Sequence, residues 1–328
     1  MSETAEHTIP QLSEFHPEAA EVVRVLREAN APATRTVPIA ELRANYRLST
    51  AANGIPRREL VSVRDVALPT PGHDLPAVPV RVYRGSAQGQ QPAPSIVFLH
   101  GGGWIMGDRE THDGICRYLA DASGGTVVAV EYRLAPEHPY PAPLQDCVHA
   151  VRAIVREAEA LGVDTSRLVV AGDSAGGNLA AVLALLSAAG DLPQVRAQVL
   201  LYPVTDLHGE AEGYRRVTSG VPLVADSMRW FRELYVPEGV SREDEWLVSP
   251  LRAPTVADAA PAFVLTVAHD PLAEEGIAYA QKLKDAGVPV EHVHLPGHAH
   301  GLFTSGRLMS AAEEQLDAAL AFVRQHTS

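Results

Sequence analysis

A chain of 328 residues that is 46% hydrophobic and 20% charged has the make-up of a folded, soluble protein with one large α/β domain or two ordinary ones. Its formal net charge of −13 argues against nucleic acid or an anionic membrane surface as partner, since both are bound through basic patches. No run approaches the roughly 18 uninterrupted apolar residues of a membrane span, and the acidic start MSETAEHTIPQLSEFHPEAA lacks the apolar stretch of a signal peptide, so a cytoplasmic protein with no stable membrane association is expected.

Residues 1 to about 55 read as a small helical segment ahead of the main fold. AAEVVRVLREA spaces Val22, Val25, Leu26 and Ala29 along one helical face, IAELRANYRLS offers a second amphipathic stretch, and Pro32, Pro38 and Pro56 punctuate them. LVSVRDVAL and AVPVRVYRG then read as an antiparallel strand pair around the turn cluster PTPGHD. SIVFLH, TVVAVEYR, RLVVAGDS, AQVLLYPVTD, AFVLTVAHD and VEHVHLPG follow. They are short apolar runs, as strands covered on both faces tend to be. Helical patterns alternate with them: LQDCVHAVRAIVREAEAL, the segment after Ser174, and PLAEEGIAYAQKLKDAG, which Gly287 and Pro289 stop. AAEEQLDAALAFVRQH closes the chain as an amphipathic helix. The alternation predicts an α/β fold, a mostly parallel sheet with helices on both faces, over residues 56–328. Between Asp206 and Pro261 no strand is predicted, but VADSMRWFRELYV reads as a helix between Pro222 and Pro237. An insertion of this kind, at about 206–245, often covers an active site. Cys116 and Cys147 lie far apart and outside any C-x-x-C pair, which predicts buried thiols in a reducing compartment.

Chemistry is carried by three separated motifs. In LVVAGDSAGGNLAAVLALL, Ser174 stands between a strand and a helix with Gly172 and Gly176 at both two-residue offsets. That is the strand–turn–helix setting in which G-x-S-x-G presents a nucleophile. His100-Gly101-Gly102-Gly103-Trp104 directly follows SIVFLH. Its glycines allow a backbone whose N–H groups point into a pocket, as an oxyanion hole needs. A dinucleotide site fails on spacing, because Met106 occupies the place of the last glycine. His100 reads as a structural residue that orients the loop. A serine hydroxyl also needs a base. Of 14 histidines, the cluster EHVHLPGHAHGLF places His298 and His300 in the loop after a strand, at the sheet's carboxyl edge. No cysteine or carboxylate cluster accompanies them, so no metal is expected. Asp270 and Asp206 each end a strand run, and either satisfies the order serine, acid, histidine of the α/β-hydrolases. Residue order leaves both open.

These motifs together resemble the hormone-sensitive-lipase-like carboxylesterases (bacterial family IV) of the α/β-hydrolase superfamily. HGGGW at 100–104, YRLAPEHPYPAPLQD at 132–146, GDSAGG at 172–177, DPLAEEG at 270–276 and HG at 300–301 match the family's pattern, and the resemblance runs from about Leu60 to the C-terminus. It implies an α/β-hydrolase fold with a helical cap, built from residues 1–55 and the 206–245 insertion. It implies Ser174 as nucleophile, Asp270 as the acid, and His300, which precedes a glycine, as the base. Gly102, Gly103 and the Ala175 N–H would form the oxyanion hole, and no metal or cofactor would be needed. Trp104, Met228 and Phe231, with Trp230 and Tyr235, are candidates for the substrate-binding lining. Two departures stand out. The family usually has another Asp where Ala273 or Glu274 stands, and a Phe where Leu302 follows His300-Gly301. The implied activity is hydrolysis of short- to medium-chain acyl esters of small molecules through an acyl-enzyme. Amide or N-acetyl hydrolysis with the same groups is the alternative. A non-catalytic receptor is disfavoured because receptors on this fold lack the histidine. Family members often pair as homodimers through the sheet edge, where VEHVHLP lies.

Overall fold

The computed structural model describes residues 9–30, 32–70, 76–85, 93–236, 238 and 245–327. The first eight residues, most of the PTPGHD turn and the flanking Pro237 lie outside them. Two helices lead, α1 (Pro17–Ala29) and α2 (Ile39–Asn53), followed by β1 (Ser62–Leu68), β2 (Val78–Arg84) and β3 (Ser95–Leu99). Next come α3 (Asp113–Ser123), β4 (Thr126–Val130), α4 (Ala142–Arg156), the short α5 (Ala158–Leu161), β5 (Leu168–Asp173), α6 (Ala175–Ala188) and β6 (Ala197–Leu201). The chain ends with α7 (Glu212–Arg216), α8 (Ala225–Tyr235), β7 (Ala262–His269), α9 (Ala273–Asp285), β8 (Val290–Ala299) and α10 (Ala311–Thr327).

The eight strands form one sheet in the order β1-β2-β4-β3-β5-β6-β7-β8. β1–β2 and β2–β4 are antiparallel and all later pairs are parallel. Every residue of β3, β4, β5 and β6 is buried, which is why these segments read as unbroken apolar runs. Side chains alternate between two cores, following the two-residue period of a strand. Val97, Leu99, Val128 and Val170 pack with α4, α6 and α9 on one face. Ile96, Phe98, Val127 and Val169 pack with α3 and α10 on the other. α6 is buried from Ala175 through Leu185, so its lack of a polar face reflects a helix enclosed on all sides.

Three features depart from the pattern expected from sequence. α3 was not anticipated: HDGICRYLADAS is short and opens with Asp-Gly, yet Ile115, Cys116 and Leu119 bury one face and Gly124 ends it in the left-handed conformation. The single-turn α7 was also missed. β8 runs to Ala299, past the loop expected after Gly297, because a register shift between Val267 and His269 lets β7 and β8 pair again beyond that point. His298 therefore lies in the strand.

α1 is docked where His16 N–H donates to Gly297 O (2.8 Å) and Phe15 stacks on His269 (centroids 3.9 Å). α2 is held by Arg43, which donates to Ile105 O (2.7 Å) and Ala135 O (3.0 Å). α8 meets the segment between them through Ser227 and Thr34. These three helices lie over the carboxyl ends of the central strands, where loops converge in an open α/β sheet.

Candidate active site

Ser174 links β5 to α6 with φ 54° and ψ −119°, a conformation that costs a non-glycine residue about 1–3 kcal/mol and persists only where its surroundings over-determine it. Here the surroundings do so. Ser174 N–H donates to Leu201 O (2.9 Å), while its carbonyl accepts from Asn178 N (3.0 Å) and Val204 N (3.2 Å). The Asn178 amide, fully buried, donates to Val204 O and Val248 O. The flanking glycines are required by close approach. A Cβ on Gly172 would sit 2.4 Å from the Gly176 backbone, and one on Gly176 would sit 1.9 Å from Leu99 O. The small residues exist so that strand, turn and helix can pass within backbone contact.

The elbow aims Ser174 at the loop after β8. Ser174 Oγ lies 3.0 Å from His300 Nε2, and His300 Nδ1 lies 2.6 Å from Asp270 Oδ2. Asp270 is 1% exposed, and its other oxygen accepts from Leu272 N (2.9 Å), which fixes the carboxylate's plane. An ionised carboxylate on Nδ1 makes that nitrogen the donor, so Nε2 presents its lone pair to the serine hydroxyl. The Tyr202 ring leans against the imidazole, with centroids 4.4 Å apart. The two rival residues are elsewhere. Asp206 pairs with Arg252 (2.7 Å) and accepts from His208 N and Gly209 N. His298 is buried in β8 against His16 (centroids 5.2 Å).

Across from the elbow, Gly102, Gly103 and Trp104 take φ values of 119°, 60° and 60°. This left-handed run turns successive N–H groups to one side, as in an anion-binding nest. Among the described residues, the N–H groups of Gly102, Gly103 and Ala175 have no protein acceptor. His100 braces the loop: its Nδ1 donates to Gly101 O (2.9 Å) while Tyr132 Oη donates to His100 O (2.6 Å). Burial, reinforced by the nearby His112, pushes the His100 pKa down to about 4, so this ring stays neutral, which suits an orienting residue rather than a proton carrier.

A cavity of about 760 Å³ opens above Ser174. Gly102, Gly103, His300 and Tyr202 form its floor, and residues of α1, α2 and the 222–231 segment form its walls. Phe231 lines it, its ring so close to Gly103 that a Cβ there would lie 2.4 Å away. Trp104 and Met228 do not. Trp104 is fully buried and stacked on Tyr235 (centroids 4.3 Å), and Met228 is packed into the core. Trp230 and Tyr235 are likewise absent from the lining. Aromatic and methionine residues on an amphipathic helix such as α8 point first to the core, and Trp104, in the loop after β3, stacks into that core on Tyr235, so composition suggested the wrong side chains. Among the lining residues that sequence reading missed are Val22, Val25 and Leu26 of α1 and Asn45, Tyr46 and Ser49 of α2, positions whose only signal was a shared helical face. No cluster of three metal-binding side chains occurs among the described residues, and no helix among them is long and apolar enough to cross a membrane.

A family profile described as the alpha/beta hydrolase fold matches residues 96–304. The ethyl acetate hydrolase of Pseudomonas putida is 36% identical over 95% of this chain and 99% of its own length. The carboxylesterase NlhH of Mycobacterium tuberculosis is 39% identical over 78% of this chain and 81% of its own. Among solved structures, an ester-hydrolase from the metagenome of Lake Arreo, complexed with a bipyridine phosphonate derivative, superposes with a TM-score of 0.88 at 36% identity. It covers 95% of this chain and 99% of that one. Fold, motifs and relatives agree: the chain belongs to the hormone-sensitive-lipase-like carboxylesterases of the α/β-hydrolase superfamily.

Proposed function

We propose that the chain is a serine carboxylesterase for short- to medium-chain acyl esters of small molecules, with Ser174 as nucleophile, His300 as general base and acid, and Asp270 as the group that orients and charges the imidazole. The observation that carries this reading is the continuous hydrogen-bonded line from Asp270 through His300 to Ser174, ending beneath an open cavity and beside unpartnered backbone N–H groups. In acylation, Ser174 Oγ attacks the ester carbonyl as its proton passes to His300 Nε2. Asp270 stabilises the resulting imidazolium. The oxyanion is received by the N–H groups of Gly102, Gly103 and Ala175, donors already aimed and so needing no reorganisation. His300 then protonates the departing alcohol, and water repeats the sequence on the acyl-enzyme. Residues 1–55, carrying α1 and α2, and the 206–245 insertion, carrying α8, serve as the cap that walls the pocket.

Phe231 packed on Gly103 narrows the cavity beside the oxyanion loop, which favours small acyl groups, and the relative named for ethyl acetate supports the same preference. p-Nitrophenyl butyrate should be hydrolysed at least about tenfold faster, in kcat/KM, than the dodecanoate, since each mismatched methylene is worth about 1–3 kcal/mol. Equal rates would remove the chain-length assignment. Turnover of neither ester, with cleavage of a matched anilide, would replace esterase by amidase.

The enzyme is also assigned to the cytoplasm and to a homodimer joined along β8. Cys116 and Cys147 are buried, unpaired thiols of the kind a reducing compartment keeps, and β8 is the sheet's outer strand, covered by His16 at Gly297 but with its earlier residues pairing, among the described residues, only with β7. Sedimentation at micromolar concentration should give twice the 35.1 kDa chain mass; a monomer would refute the dimer, and recovery from secreted or membrane fractions would refute the compartment.

A further inference from the structure

A second buried histidine–aspartate pair lies directly behind the nucleophile and takes no part in the mechanism above. His112, 1% exposed, stands at the start of α3, and its Nε2 lies 3.1 Å from Oδ1 of Asp173. The contact is too bent for an ideal hydrogen bond and acts mainly through charge and dipole. Asp173, 2% exposed, is the residue before Ser174, and the same Oδ1 accepts from Gly101 N (2.9 Å). His112 Nδ1 meets Thr111 Oγ1 at 2.8 Å, and Thr111 Oγ1 also accepts from Asp108 N and faces Asp108 O.

These partners decide where the proton sits. If Thr111 donates to Nδ1, the neutral ring carries its proton on Nε2. If Thr111 donates to Asp108 O, Nδ1 must be a donor, and only the imidazolium avoids turning a lone pair toward the Asp173 carboxylate. In both arrangements Nε2–H faces Asp173. Burial alone would push that carboxyl up, but His112, the Gly101 N–H and His300 outweigh it and hold the carboxyl below its ordinary value.

The consequence is geometric. Pairing between β3 and β5 ends at Leu99 and Gly172, so past that point the Asp173 carboxylate continues the link between the HGGGW loop and the elbow. Gly101 is pressed so close that a Cβ would lie 2.4 Å from Asp173 Oδ2. One side of the proposed oxyanion hole, Ala175, hangs on the elbow. The other, Gly102 and Gly103, hangs on the loop. Asp113, the first residue of α3 and next to His112, ties the start of that helix to Tyr83 of β2 (3.0 Å) and to Arg57 (2.9 Å).

We infer that His112, acting through Asp173, is a positioning residue that sets the spacing between Ser174 and the oxyanion donors. The inference rests on the esterase reading. His112→Leu should lower kcat for p-nitrophenyl butyrate, per site titrated with a fluorophosphonate, by about 10- to 100-fold, the scale of a misplaced oxyanion donor. KM should stay within about twofold, because ground-state binding is untouched. Affinity for an arylboronic acid, which mimics the tetrahedral intermediate, should fall in step with kcat, and His112→Gln, which can keep an N–H toward Asp173, should recover most of both. Asp173→Asn should lose kcat as well, and the double variant with His112→Leu should be no worse than the more damaging of the two single variants, as expected of residues acting as a unit. If only Tm falls while kcat per titrated site and boronate affinity hold, His112 is merely structural and the inference fails. Should His112→Leu not fold, Asp173→Asn carries the test: its kcat per titrated site and its boronate affinity should fall together, and a fall in Tm alone would overturn the inference. A wild type that hydrolyses no ester would instead overturn the esterase reading, and this inference with it.

Discussion

Ser174→Ala should reduce kcat for p-nitrophenyl butyrate by about 10⁶-fold, to the residual rate that binding and the oxyanion donors sustain without a nucleophile. The substitution deletes one oxygen from a 6% exposed side chain and leaves the backbone clamp intact, since the bonds to Leu201, Asn178 and Val204 are all made by main-chain atoms. The fold should therefore persist, with far-UV circular dichroism and Tm close to wild type. Alanine pays the same positive-φ cost as serine, so no relief of strain is expected. Stopped-flow bursts of p-nitrophenol, visible in the wild type if an acyl-enzyme accumulates, should vanish. Retention of more than a few per cent of wild-type kcat would exclude Ser174 as nucleophile.

Asp270→Asn should lower kcat by about 10⁴-fold with little change in fold, the effect of presenting His300 in the wrong tautomer. The amide can donate to His300 Nδ1, which would draw the ring's proton to Nε2 and leave Ser174 facing an N–H instead of a lone pair. Asp206→Asn is the matched control, because Asp206 also ends a strand run. Its carboxylate pairs with Arg252 and accepts two backbone N–H groups. Loss of that charge should cost about 1–2 kcal/mol of stability while kcat stays close to wild type. A larger kcat loss in Asp206→Asn than in Asp270→Asn would reverse the assignment. In Asp206 itself burial opposes ionisation, but Arg252 and the two N–H groups prevail and hold the carboxyl below its ordinary value. The stability it contributes is thus present above the unfolded carboxylate pKa and is lost as pH falls through the folded value.

Local rules carried much of this reading. Apolar runs of five or six residues specified β3 to β6 because strands buried on both faces tolerate few polar side chains. The glycines around Ser174 and in HGGGW were legible because only glycine accepts the close approaches and left-handed turns found there. Sequence order could not separate Asp206 from Asp270, since both follow strands of one sheet, and the family resemblance was needed to favour Asp270. The tertiary structure adds what neither supplies: β8 pairs beside β7, so the loop carrying His300 meets Asp270, the residue just after β7, while Asp206 is drawn away to Arg252. The pocket lining was decided entirely by packing. Trp104 and Met228 turned into the core while Tyr46 and Asn45 of α2 turned toward the cavity, because the face a helix or loop presents depends on what it docks against, and those contacts join residues more than 100 positions apart that no local pattern connects.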